Sequence, residues 1–268
     1  MRHFLFLILC MVLTSLVWGA DQSTSTLITD QAAQMSPTDL AGTSPYTMKH
    51  FIPNLESNFV HVFSKSNYAS LLFTAIGGGI ATTADDEVHD YFKERNPGQA
   101  PETVLGVIGK PYVLAPTIGS LLIMGQHSSN AKFHDFTYAL AQAYTLNYAI
   151  VTSIKYGVGR ERPDHSNTQS FPSGHAADGF MIAAVIHNYY GPKASVFGYT
   201  FATLLATSRL KIDKHWFSDV VTGAALGYVV GSSVCNHMTF THNHLQMTMM
   251  PLVEPKEHRL GLNIYATF

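Results

Sequence analysis

Lys155-Tyr156-Gly157-Val158-Gly159-Arg160-Glu161-Arg162-Pro163 opens the stretch that decides this chain; Phe171-Pro172-Ser173-Gly174-His175 follows it, then Ser208-Arg209, His215 and Asp219. Apolar segments with helical spacing separate these clusters, so they read as helix ends and loops of an all-α bundle. Together they supply three cations, two histidines, one carboxylate and a helix start. Lys155 falls in the last turn of one helix, Arg162 in the loop beyond, and Arg209 at the end of another helix. Cations delivered by three separate elements can surround one anion, and guanidinium groups match phosphate oxygens with two donors at once.

Pro172-Ser173-Gly174-His175 reads as a helix start. Ser173 is an N-cap type, and Gly174 lets a ligand approach the backbone. The free amides and positive dipole end of that helix would meet a phosphate, with His175 beside it in the first turn. His215 and Asp219 are four residues apart, on one face of a helix. A carboxylate behind an imidazole fixes its tautomer and stabilises the charge formed on attack. His215 is therefore the candidate nucleophile, and His175 the candidate general acid and later base. Any one of these residues alone is more often a cap or a solvated charge.

Lys155-x6-Arg162-Pro163, Pro172-Ser173-Gly174-His175 and Ser208-Arg209-x5-His215-x3-Asp219 resemble the three-part signature of the type 2 phosphatidic acid phosphatase superfamily. That superfamily includes bacterial class A acid phosphatases, lipid phosphatases and vanadium haloperoxidases. The resemblance implies a helical bundle of the acid phosphatase/vanadium haloperoxidase type over residues 48–238. It implies His215 as nucleophile with Asp219 as its partner, His175 as acid and base, and Lys155, Arg162, Ser173, Gly174 and Arg209 as phosphate-binding. It also implies no metal and no cofactor in the hydrolases. The substrate expected is a phosphorylated small molecule, a lipid phosphate or a pyrophosphate. Two other readings stay open: a vanadium-dependent haloperoxidase using the same pocket, and a non-catalytic phosphate-binding envelope protein. One departure is visible. Only eight residues separate Pro163 from Pro172, a short loop that bears on selectivity rather than on the chemistry.

Outward from the motifs, helical patterning begins near Asn54. An apolar run over 68–84 contains Gly77-Gly78-Gly79, read as a close helix–helix approach, because no Gly-Lys-Ser/Thr phosphate loop follows. Asp85-Asp86-Glu87 opens a short helix to 95 and reads as a solvated first turn that suits the helix dipole. The run 102–126 is expected to kink or divide at Pro111 and Pro116. Residues 133–156 make the best long helix, with Gly157 as its C-cap. Further helices are expected at 174–190, stopped by Gly191-Pro192, at 194–209 and at 216–236. The apolar runs carry Gln142, Asn147, His187 and Asn188, and read as buried helices of a soluble bundle more than as lipid-facing spans.

The chain has 268 residues, 46% hydrophobic and 13% charged, enough for one sizeable core. Its net charge of −2, without a basic patch, argues against a nucleic-acid partner. Residues 1–20 read as a signal peptide, the alternative being an uncleaved anchor, and 21–47 as a flexible linker. An exported product is expected, periplasmic or associated with a membrane surface. Alternating apolar residues on both sides of a polar turn predict a short β-hairpin in the tail, 239–268. Other histidines carry little: His237, His242 and His244 cluster without cysteines, and His134-Asp135 and His89-Asp90 lack further spaced ligands.

Overall fold

The computed structural model describes residues 46–95, 104–243, 246–254 and 259–267. The expected signal peptide and nearly all of the linker lie outside the described residues. The domain is all-α over its motif-bearing length. Its helices are α1 (Phe51–Val62), α2 (Tyr68–Ala81), α3 (Asp85–Arg95), α4 (Val104–Ile108), α5 (Pro111–Gln126), α6 (Ala131–Val158), α7 (Gly174–Lys211) and α8 (Phe217–Asn243). Gln246–Glu254 and Arg259–Thr267 run as two antiparallel strands. The fold class rests on the helices alone, and a C-terminal hairpin as a unit of this domain stays a proposal.

Helix α6 starts where Asn130 Oδ1 accepts the amide of Phe133, at 3.1 Å. It ends one turn beyond Lys155. Gly159 takes the left-handed conformation, φ 61°, and its amide bonds to the Lys155 carbonyl at 3.0 Å. The sequence reading places this cap at Gly157. Gly157 stays helical, because the left-handed residue is the one two positions on. Helix α7 breaks at Gly191, φ 78°, just before Pro192. The two helices expected there are its two arms.

Tyr138, Leu146 and Ile150 of α6, Met181 and Val185 of α7, and Val230 and Val234 of α8 form the core. Helix α8 packs on α7 through a seam of glycines. A Cβ at Gly223 would lie 2.4 Å from the Ser173 carbonyl oxygen, and one at Gly227 2.0 Å from that of Ala177. Only hydrogen at these positions lets the backbones meet. The seam sets the first turn of α8 against the first turn of α7, where the Ser173 amide donates to the Asp219 carbonyl at 2.9 Å. Two motifs distant in sequence are thereby joined. In the glycine triplet only Gly78 makes the expected close approach, to Thr222; Gly77 and Gly79 have open space.

Large apolar side chains stay outside. Leu72, Phe73, Ile76 and Ile80 on α2, and Val196, Phe197, Phe201 and Leu204 on the second arm of α7, are all exposed. A helix packed on all sides would turn such rows inward; these two elements keep an apolar stripe exposed. Among the described residues one stretch, Phe217–Met238, is long and apolar enough to cross a membrane, and 67% of it is buried in the protein.

Candidate active site

Backbone carbonyls hold Lys155 and part of Arg162. Lys155 Nζ donates to the carbonyls of Gln169 (2.8 Å) and Pro172 (2.6 Å), tying the end of α6 to the loop that enters α7. Arg162 Nε donates to Asn167 Oδ1 at 2.8 Å and Nη1 to the Lys214 carbonyl at 3.1 Å. Lys214 in turn pairs with Asp164. Arg209 is buried near the end of α7. Burial, reinforced by the charge of Arg162, lowers the Lys155 ammonium to about 8. Burial and then Arg209 lower Arg162 in the same way. The three cations are close enough to weaken one another. A partly buried surplus of positive charge of this kind favours an anion.

His215 is buried at the turn between α7 and α8, with 4% of its surface exposed. Its Nδ1 lies 2.7 Å from the carbonyl oxygen of Ser170. A carbonyl only accepts, so Nδ1 carries the hydrogen and Nε2 keeps its lone pair. Asp219 Oδ2 stands 3.7 Å from the same Nδ1, an electrostatic contact but too long for a hydrogen bond. The expectation that Asp219 fixes the tautomer is corrected: the Ser170 carbonyl does so, because it is nearer. Burial pushes His215 down to about 3, helped by the Lys155 and Arg162 charges and opposed by Asp219. The ring is neutral at ordinary pH.

Asp219 is held at both oxygens. Its Oδ2 accepts from Ser170 Oγ (2.5 Å) and the Trp216 amide (2.8 Å), and its Oδ1 from Arg160 Nη1 (2.8 Å). Ser173, wholly buried, caps α7 by accepting the Ala176 amide at 3.5 Å. A Cβ on Gly174 would meet only Lys155 and Val151, at 3.9 Å, so packing does not demand a glycine there. His175 faces α4: its Nε2 donates to the Gly106 carbonyl at 2.8 Å, and Gly109 lies against its ring.

Lys155, Arg162, Arg209, His215 and Asp219 thus act on one another, with Ser173 bonded to the Asp219 backbone and His175 two residues further on. Arg160, Asp85, Ser170, Ser218 and Trp216 also belong to this region, and sequence reasoning missed all five. Asp85 is the clearest correction. It reads as a solvated helix start but is 5% exposed, paired with Arg160 at 2.7 Å. Its two acidic neighbours gave it the look of a surface first turn. One turn below His175, the buried carboxyl of Asp178 accepts from Asn147 at 2.8 Å, and burial pushes it up to about 7.

His242 and His244 lie outside the residues whose side chains are described; His134, His89 and His237 have protein partners. His134 meets Asp135 at 2.9 Å and Gln126 at 3.1 Å. His89 lies between Asp90 and Asp213, at 3.5 and 3.7 Å. His237 bonds Asn58 at 2.8 Å and stacks on His61. Among the described residues no group of three or more His, Cys, Asp or Glu side chains is placed to hold a metal ion.

A family model described as the PAP2 superfamily matches residues 136–242. The chain is 43% identical over 94 residues to a lipid A 1-phosphatase of Porphyromonas gingivalis; the match covers 34% of this chain and 21% of that protein. It is 31% identical over 123 residues to a decaprenylphosphoryl-5-phosphoribose phosphatase of Mycobacterium tuberculosis, covering 42% of this chain and 67% of that protein. The match thus spans about a fifth of the first relative and two thirds of the second. The fold is similar to that of a solved transmembrane PAP2 type phosphatidylglycerolphosphate phosphatase from Bacillus subtilis. The TM-score is 0.53 at 18% identity, over 63% of this chain and 94% of that one.

Proposed function

This chain belongs to the PAP2 superfamily, and from that premise we propose that it is a phosphatase that hydrolyses lipid phosphates or pyrophosphates through a phosphohistidine on His215. The observation that carries the reading is the bond from His215 Nδ1 to the Ser170 carbonyl, which leaves Nε2 unprotonated on a ring that feels the Lys155 and Arg162 charges. A substrate phosphate held by Lys155, Arg162 and Arg209, and by the start of α7 at Ser173 and Gly174, presents its phosphorus to Nε2. The new P–N bond forms as the P–O bond to the leaving group breaks. His175 gives its proton to the departing oxygen. It then takes one from water, whose oxygen attacks phosphorus and returns His215 to its neutral form. The cations and the helix start stabilise the equatorial oxygens in both steps. Asp219 offsets the positive charge that His215 gains while phosphorylated.

A lipid substrate is favoured over a soluble ester by the exposed apolar rows on α2 and α7, which suit acyl chains better than water. The names of both relatives denote phosphatases of lipid-linked phosphates. The same surface supports a membrane-associated protein, and the signal-like residues 1–20 support export. The test is a substrate panel of phosphatidate, phosphatidylglycerol phosphate, a polyprenyl pyrophosphate and a soluble aryl phosphate, with EDTA present throughout. Turnover of a lipid member, an acid-labile phosphoenzyme trapped from it, and loss of both in His215→Ala are expected. No phosphoenzyme, and equal turnover by His215→Ala, would remove the proposal.

A further inference from the structure

Asp219 faces His215 on one side and a second carboxylate on the other. Arg160 stands between the two carboxylates. Its Nη1 donates to Asp219 Oδ1 (2.8 Å) and Ser218 Oγ (2.7 Å), and its Nη2 to Asp85 Oδ2 (2.7 Å). Asp85 also accepts from Ser218, at Oδ1 from the amide (2.8 Å) and at Oδ2 from the hydroxyl (2.7 Å). The guanidinium lies 5.4 Å over the ring of Trp216, whose amide holds Asp219 Oδ2. Three elements meet here: the start of α3, the loop after α6 and the first turn of α8. We propose that Asp85 and Arg160 are positioning residues for the reaction of the preceding subsection: they fix the Asp219 carboxylate behind His215 and keep its negative charge effective.

An arginine paired with Asp219 alone would cancel the charge that His215 needs when it turns cationic. Asp85 shares that arginine, so the three groups leave one net negative charge next to the ring. With Oδ1 clamped by Arg160 and Oδ2 held by Ser170 Oγ and the Trp216 amide, the carboxylate has one orientation, and Oδ2 sits 3.7 Å from His215 Nδ1. A buried Asp85 serving only to attach α3 would need a donor, but not one shared with the carboxylate behind the candidate nucleophile.

The inference rests on the phosphatase reading, so wild type and His215→Ala are assayed beside Asp85→Asn, Arg160→Gln and the double variant. The other charged or titratable groups around His215 are unchanged in all of them: Lys155 from α6, Arg162 from the loop, Arg209 and Lys214 flanking the turn, and His89 from α3. Each single variant is expected to lose about 10- to 100-fold in kcat with KM within about twofold. The acid limb of kcat is expected to move in opposite directions. Asp85→Asn leaves Arg160 to oppose protonation of His215, and the limb falls. Arg160→Gln leaves Asp219 unopposed, and the limb rises. The double variant returns towards the wild-type limb. Superimposable limbs, or losses that track KM and melting temperature alone, would overturn the inference. Should a neutral variant not fold, Asp85→Glu and Arg160→Lys take its place; they are expected to keep the limb and lose kcat, and full wild-type kcat in both would overturn it. Wild type active with His215→Ala dead, and the Asp85 and Arg160 variants unchanged, sinks this inference alone. An inactive wild type, or an active His215→Ala, sinks the phosphatase reading and this inference with it.

Discussion

The carbonyl oxygen of Ser170 lies 2.7 Å from Nδ1 of His215, a full ångström nearer than the Asp219 carboxylate at 3.7 Å. The peptide backbone, not the acid, decides which ring nitrogen keeps its lone pair. In triads where the carboxylate alone holds the tautomer, its amide replacement costs about 10⁴ in kcat. Here the tautomer survives that change. Asp219→Asn is expected to cost about 10- to 100-fold in kcat, while His215→Ala loses the reaction. Steady-state kinetics on one lipid substrate checks this, and equal losses in both variants would assign the tautomer to Asp219 after all.

His215 shifts from an ordinary 6.5 down to about 3, by burial first and then by Lys155 and Arg162. Between those two values the unfolded chain binds a proton that the native chain refuses. Stability therefore rises with pH across that window and is lost as pH falls towards 3. The wild type is expected to lose about 1.4 kcal/mol more per pH unit there than His215→Gln, which cannot titrate. Denaturant midpoints measured for both proteins between pH 6 and pH 4, without phosphate, test it; parallel pH slopes would refute it.

His175 donates through Nε2 to the Gly106 carbonyl at 2.8 Å, and a Cβ on Gly109 would come within 2.4 Å of its ring. Gly109→Ala must therefore displace the proposed acid. A poor leaving group needs a proton and a good one does not. The variant, like His175→Ala, is expected to lose at least about tenfold more kcat on an alkyl phosphate than on a nitrophenyl phosphate. The same loss on both esters would mean that His175 is not the acid.

The glycines of α8 and α2 should respond with opposite signs. Gly227→Ala drives a methyl group into the Ala177 backbone, 2.0 Å away, and overpacking of this kind costs about 1–3 kcal/mol. Gly79→Ala meets nothing within 4 Å and gains up to about 1 kcal/mol of helix propensity. Thermal unfolding in one detergent should show a lower midpoint for the first and a higher one for the second. Tolerance of Gly227→Ala would mean that α7 and α8 do not meet this closely.

Much of the helical layout was legible because apolar periodicity and chain punctuation are local signals. Gly191-Pro192 announced the break in α7, and Pro111 the start of α5. Gly157 and Gly159 look alike in sequence, while only the second has a positive φ, so the cap of α6 is not legible from residue type. The exposed rows on α2 and α7 were read as buried, because composition counts apolar residues without saying which way they point.

For the site, the motifs name candidate reacting groups from residue types and spacing alone, since those reflect the chemistry of one bound anion. Asp85 carries no such mark; it lies 75 residues from Arg160 and joins it only when α3 folds against the loop after α6 and the start of α8. What the sequence determined by itself was the helical class and the list of candidate side chains. Tertiary structure decided that Ser170 holds the tautomer, that Arg160 and Asp85 stand behind Asp219, and that α4 covers His175. Each of these is a contact between segments distant in the chain, set by how closely the helix backbones approach, and helical periodicity says nothing about that distance.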